Sequence, residues 1–370
     1  MSRISFIRLL SVLALALLVL TLGAHELLAA TITYEVGTCK PGHPTFSTIT
    51  AALTAVPSPN VVLVCPGSYY EQIEITFPVI LEGVVAANAG QAVVYPPPNG
   101  FVGNATDDYG ELFAAQLFVN NVAGTVNVSD LTFDAQDQAA PSAQTVGIFY
   151  QNSFGTVNEV VTRYQSPASA PGRGIVIEGG PANPTVTVEN SSVAEYADLG
   201  IQAESNTAAS QLTATIKGNY VNGGGGANVG IQIQQGITAT VSDNLVLNNG
   251  DYGIPIYGPI GGSVSNNTLV NNWIGVVSLS DAVSVTSNKI FESFWAVELG
   301  SSDTVQGIAT IQGNTIGRAG SVGIEFGCLA DPNVRSNTFS LMGTALDKVP
   351  TAIVTTNSYF NVATIRTGGC

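Results

Sequence analysis

The chain has 370 residues, 45% of them hydrophobic, which excludes a disordered chain unable to bury a core. Charged residues make up only 10%, and 11 basic against 26 acidic residues leave a net charge of −15, which excludes the basic footprint of a nucleic-acid binder. With two histidines, His25 and His43, any chemistry must run on carboxylates, hydroxyls, amides and a few arginines.

Taken in chain order, Arg3 and Arg8 precede an apolar run from Leu9 to Leu22, and small residues follow at Gly23, Ala24, Ala29 and Ala30. That order reads as a secretory signal over residues 1–30, with an apolar run shorter than the ~20 residues that cross a bilayer. A secreted, periplasmic or surface protein without membrane contact after signal removal is expected. A retained N-terminal anchor is the alternative. Residues 31–370 are then one domain. Export permits disulfides. Cys39 and Cys65 lie near one end and Cys328 and Cys370 near the other, so of three possible pairings the local one, Cys39 with Cys65 and Cys328 with Cys370, is expected.

In residues 44–60, Phe46, Ile49, Ala52, Leu53 and Val56 recur at helical spacing, with Ser47 or Thr48 placed to cap. A short helix over the open end of a strand stack would shield it from water and from edge pairing. The segments VVLVCPG and VILEG read as first strands. Residues 84–125, with Pro96, Pro97, Pro98 and the acidic pair Asp107 and Asp108, read as an irregular loop forming a lid or lateral wall.

A repeat begins near residue 126 and returns as VENSSV at 188, IKGNYV at 216, VSDNLV at 241, VSNNTL at 264, VTSNKI at 285, IQGNTI at 311 and VRSNTF at 334. A second pattern interleaves with it, a Gly followed by Ile or Val at Gly147, Gly174, Gly200, Gly230, Gly253, Gly275 and Gly323, with Ala296 in register. Two short alternating strands per unit, joined by Gly, Asn and Ser turns, argue for stacked β-coils. Successive coils pair ~4.8 Å apart. The asparagines Asn219, Asn244, Asn267, Asn288, Asn314 and Asn337 therefore stand above one another, each amide placed to accept from one neighbour and donate to the next.

These coils, together with PTFSTITAALTAVPSPNVVLVCPGSYYEQIEITFPVILEG at 44–83, resemble the right-handed parallel β-helix proteins of the pectin-lyase-like superfamily. The resemblance implies an all-β solenoid of about 10–12 coils with a short N-terminal capping helix. It also implies an extracellular polysaccharide or cell-envelope glycan as partner. The superfamily holds lyases, glycoside hydrolases, esterases and uronate epimerases as well as members without catalysis. The Asp-Phe-Ile-Phe-Gly stretch of the esterases and the Gly-His-Gly element of the polygalacturonases do not occur here, and Asp251-Tyr252-Gly253-Ile254-Pro255 lacks the histidine of the epimerase element. Arg173 is the best-placed arginine for a lyase, against the plainer reading of a solvated turn arginine. Binding without turnover is the first reading and an enzyme using carboxylates or calcium the alternative.

Strict alternation from each Gly predicts the outward rows. Two places on lie Val176, Gln202, Gln232, Pro255, Val277, Glu298 and Glu325; four places on, Glu178, Glu204, Gln234, Tyr257 and Leu279; two places before, Asp198, Asn228, Asp251, Trp273 and Phe294. Trp273 and Tyr257 offer ring faces to a sugar polymer and Gln202, Gln232 and Gln234 offer amides. Glu298 and Glu325 fall in one row of adjacent coils, ~5 Å apart, the spacing of a retaining glycosidase pair. They are the expected catalytic residues. Two such carboxylates raise one pKa or take up calcium; no cofactor is otherwise required. Glu178 and Glu204 are a separate pair of the same kind.

Overall fold

The structure, a computed structural model, describes residues 31–368 apart from 86–89, 169, 206–210, 227, 281–282, 301–309, 327–332 and 349–350. The expected signal segment and the expected Cys328–Cys370 bridge lie outside the described residues.

The coil from 237 to 256 shows the unit, with strands Ile237–Ser242, Leu245–Leu247 and Tyr252–Ile256. In the first, Ile237, Ala239 and Val241 point inward and Thr238 and Thr240 outward, as period-two alternation requires. Each strand pairs in parallel with its counterpart one coil on: Gly261–Ser265, Thr268–Val270 and Ile274–Ser278. Repetition builds, among the described residues, a 13-stranded sheet from the first place and a 23-stranded sheet in which the second and third places run together. The core lies inside the coils as stacked columns. One runs Val188, Ile216, Val241, Val264, Val285, Ile311 and Val334, each in register with the next and all buried. Burial of each such side chain contributes ~1.5–3 kcal/mol.

The corner after the first strand explains the asparagines. The residue before each Asn takes a left-handed backbone, at Gly218, Asp243, Asn266, Ser287, Gly313 and Ser336, and this turns the Asn side chain inward. Asn244 donates its backbone N–H and its Nδ2 to Asn267 Oδ1 at 3.0 and 2.9 Å, and Nδ2 also donates to Ile216 O of the preceding coil. The same contacts join Asn219, Asn244, Asn267, Asn288, Asn314 and Asn337. The ladder extends beyond the six, accepting Ser191 N at one end and donating to Asn357 at the other. A second, shorter ladder sits at the next corner, where Asn249 donates to Asn272 Oδ1 and accepts from Tyr196 Oη.

The recurring Gly marks a close approach. A Cβ at Gly174 would stand 2.3 Å from Val193 Cγ1 and 2.5 Å from Gly200 O. Because the glycine itself turns inward, alternation is reset there. Val146, one place before Gly147, and Phe149, two places after it, share one outer cluster with Phe113, Phe118 and Val176. The residue before each Gly is therefore also outward, contrary to strict alternation.

Two expectations on local structure change. The helix is a single turn, Ile49–Leu53, with Thr48 Oγ1 accepting Ala51 N at 3.1 Å; Phe46 belongs instead to the strand Thr45–Phe46 and Val56 is exposed. Five residues are too few to carry the whole 46–56 pattern. The 84–125 stretch is more regular than expected: it contains Ala92–Tyr95 and the nine-residue strand Leu112–Asn120, which pairs in parallel with Gln144–Gln151. What leaves the stack is the segment between them. It returns through Ala105–Thr106, antiparallel to Leu112–Asn120. The bridge Cys39–Cys65 is present, with S–S 2.01 Å.

Candidate functional site

The hairpin over 105–113 places polar side chains on the outer face of the third-place strands. Its turn is fixed locally: Asp107 Oδ1 accepts Tyr109 N at 3.0 Å and Glu111 N at 2.7 Å, and Gly110 takes a left-handed backbone, φ 86°. From that turn Asp108 N donates to Glu178 Oε1 at 2.8 Å, and Tyr109 Oη donates to Gln234 Oε1 at 3.3 Å. Glu178 and Glu204 are register partners on adjacent strands, and both are buried.

Arg173 organises the cluster. It is buried rather than solvated, because the reset at Gly174 brings it out under the hairpin. Its Nε meets Asp198 at 3.3 Å, Nη1 donates to Gln202 Oε1 at 2.7 Å, Nη2 meets Glu111 at 3.1 Å, and the guanidinium lies 4.9 Å from the centre of the Phe113 ring. Gln202 Nε2 passes the chain on to Glu204 Oε2 at 2.7 Å. Glu204 Oε1, buried, has no partner among the described residues.

Burial dominates the proton affinities. Glu178 is pushed up to about 9 by burial, then by the Asp108 carboxylate, against the Asp108 N–H that favours its charge. Glu204 is pushed up to about 7 by burial, with Arg173 pulling the other way. Asp107 is also raised by burial, opposed by its backbone hydrogen bonds. At neutral pH Glu178 is therefore a neutral acid and Glu204 is poised between its forms.

The expected site residues fall in three places. Gln202, Gln232 and Gln234 share the sheet face of this cluster; Gln202 is buried, its amide spent between Arg173 and Glu204, and Gln234 donates to Gln232. Tyr257, half-buried, lies further along the face, its hydroxyl pushed up to about 12 by burial, then by Tyr252 and Glu298. Glu298 and Glu325 are register partners. Lys348 Nζ holds Glu325 Oε1 at 2.8 Å, an ion pair the row pattern did not reveal. Glu298 is raised by burial and then by Glu325. Among the described residues the one grouping of three metal-type ligand atoms is Glu35 with Cys39 and Cys65, whose sulfurs form the disulfide.

Trp273 lies elsewhere, at the corner before its strand. It stacks on Phe294 of the next coil with ring centres 4.3 Å apart and planes 5° from parallel. The pair lines a hollow of about 440 Å³ with corner residues such as Asn248, Asn271, Glu292, Arg318 and Gly320; none of Gln202, Gln232, Gln234, Tyr257, Glu298 or Glu325 reaches it. Arg173 and the hairpin partners Asp107, Asp108 and Glu111 were the residues sequence reasoning left out of the face. The signal for Arg173 was its place beside a recurrent Gly.

Residues 117–307, more than half the chain, match the family described as right handed beta helix region. Among solved structures the chain is similar to the A-module of the mannuronan C-5 epimerase AlgE6 from Azotobacter vinelandii, at 17% identity and TM-score 0.53 over 87% of this chain and 94% of that one. It is also similar to DFA-IIIase from Arthrobacter chlorophenolicus A6 without its lid, at 14% identity and TM-score 0.49 over 90% and 91%, and to an alginate lyase from Paenibacillus sp. str. FPU-7, at 12% and 0.46 over 90% and 98%. No curated protein matches. At 17% identity the likeness to the epimerase module is one of fold. The parallel coils, the inward asparagine ladder and the family match together make this chain a member of the right handed beta helix family.

Proposed function

We propose that this chain is an exported β-helix protein that binds a polysaccharide or cell-envelope glycan through the corner carrying Trp273 and Phe294. The observation behind this reading is the ring pair. The two residues are 49% and 37% exposed, yet their rings are held parallel by the coil spacing. Stacked rings of this kind present a flat apolar surface to the flat face of a sugar, and the surrounding amides donate to and accept from hydroxyls. Export is supported by the order of residues 1–30 and by the Cys39–Cys65 bridge. Among the described residues no helix is long and apolar enough to cross a membrane. We read the turn Ile49–Leu53, which buries Ile49, Ala52 and Leu53, as the cap of the first coil. Trp273→Ala is expected to weaken retention on insoluble polysaccharide about tenfold in pull-down assays. Unchanged retention would remove the corner from consideration.

A second reading, a polysaccharide lyase, glycoside hydrolase or uronate epimerase, is favoured by Glu204. A carboxyl near pH 7 with a free oxygen, beside a protonated Glu178, suits proton transfer to and from a sugar. The hairpin over 105–113 would have to lift for substrate to reach it. Glu298 and Glu325 are the other candidates, and calcium there would have to displace Lys348. Reducing ends and ultraviolet-absorbing products, measured on neutral and uronate polysaccharides with and without calcium, decide between the readings. Product lost in Glu204→Gln would support catalysis at that pair; no product on any polymer would sink the enzymatic reading.

A further inference from the structure

We infer that the corner at Trp273 and Phe294 takes an uncharged pyranose unit of a polysaccharide, seated on the face of Phe294 that Gly320 leaves open. This rests on the reading of that corner as the glycan-binding site. It adds which sugars are bound and on which side of the stack they lie.

The stack runs along the solenoid, Trp273 in one coil and Phe294 in the next, because residues at one corner position repeat at the coil spacing. One face of each ring is spent on the other. In the coil beyond Phe294, Gly320 and Ser321 make the corner, bonded through their N–H groups to Ser293 O and Phe294 O, each at 2.8 Å. A Cβ built on Gly320 would stand 3.4 Å from Phe294 Cδ2, so any larger side chain would lie against the ring. Glycine therefore puts no side chain against that face of Phe294, which borders the hollow. A sugar ring seated there continues the stack as a third layer.

The polar rim sets the kind of sugar. Arg318 is the cation at the hollow, and its Nη1 already pairs with Glu292 Oε1 at 3.0 Å. The two charges cancel and together offer both donors and acceptors to hydroxyls. Asn248 and Asn271, joined by an Nδ2 to Oδ1 bond of 2.9 Å, supply neutral amides at the same rim. A carboxylate-bearing sugar would meet the field of a chain with net charge −15, and an uncharged polymer does not.

Native gels containing a soluble β-glucan, a galactomannan or a xylan, with polygalacturonate as the acidic polymer, test the inference. Retardation in at least one neutral gel is expected, weakened about tenfold by Gly320→Val and less by Gly320→Ala, with melting temperatures held near wild type. Phe294→Leu, which removes the ring and intrudes on nothing, is expected to abolish retardation and serves if Gly320→Val fails to fold. Three results would overturn the inference: retardation in no neutral gel, retardation by polygalacturonate alone, or full affinity in Gly320→Val or Phe294→Leu. Should Trp273→Ala abolish binding while Gly320→Val leaves it intact, this placement falls and the corner remains the binding site. If Trp273→Ala also binds normally, both fall.

Discussion

Asn267→Ala is expected to lower the free energy of unfolding by about 4 kcal/mol, at ~1 kcal/mol for each of four hydrogen bonds lost. The buried Asn267 Oδ1 accepts both the backbone N–H and the Nδ2 of Asn244, at 3.0 and 2.9 Å. Its own Nδ2 donates to Asn288 Oδ1 and to Val241 O, each at 3.0 Å. Truncation strands two donors of the neighbouring asparagine in a buried corner, and that is the costly kind of loss. Because every rung has the same geometry, Asn288→Ala should cost a similar amount. Urea unfolding followed by circular dichroism measures both, and a loss below about 1 kcal/mol would mean the ladder contributes little to holding the coils together.

The second large effect is one of pH. Glu178 and Glu204 have folded-state affinities of about 9 and about 7, both raised above the usual 4.5. Below that usual value both are protonated, folded or unfolded, and their burial costs little. As pH rises the unfolded chain releases its protons while the fold retains them, so stability falls. The limiting slope is about 1.4 kcal/mol per pH unit for each group. It should act for both from about pH 5 to 7 and for Glu178 alone up to about 9. The groups facing Glu178 are Asp108 of the hairpin, which raises it by charge, Glu204 of the next strand, which does the same, and the neutral Gln151 at 3.3 Å. Glu178→Gln, the neutral isostere, should be more stable than wild type at pH 9 and should flatten the decline. Equal slopes in urea unfolding series from pH 5 to 9 would show that this carboxyl is not held neutral by the fold.

What the sequence shows and what it hides follow one line. Features that repeat each coil are legible, because stacking makes a spacing in sequence into a neighbour in space: the asparagine rungs, the Gly rows, and the register of Glu298 with Glu325 all follow. The Cys39–Cys65 bridge, local in sequence, was legible as well. Features that interrupt the repeat are not. The reset at Gly174 is a backbone event, so alternation alone hid Arg173 as an outward residue. The contact of Asp108 with Glu178 spans 70 residues and depends on how one irregular hairpin folds back. Lys348 reaches Glu325 from just past the end of the next strand, outside the Gly-based rows. Trp273 was grouped with the glutamines because the corner was counted as part of the strand. The chain bends before Ile274, and the ring faces a different hollow.

The chain has two tryptophans, Trp273 and Trp295, so Trp295→Phe leaves the proposed platform as the sole source of indole emission. Titrating that variant with a soluble neutral polysaccharide retained in pull-downs, and following its fluorescence, reads the stacking surface directly. A saturable change in intensity or wavelength, with a midpoint matching the pull-down affinity, is the expected result. Emission that stays constant while the polymer is bound would place the glycan elsewhere on the solenoid and contradict binding at Trp273.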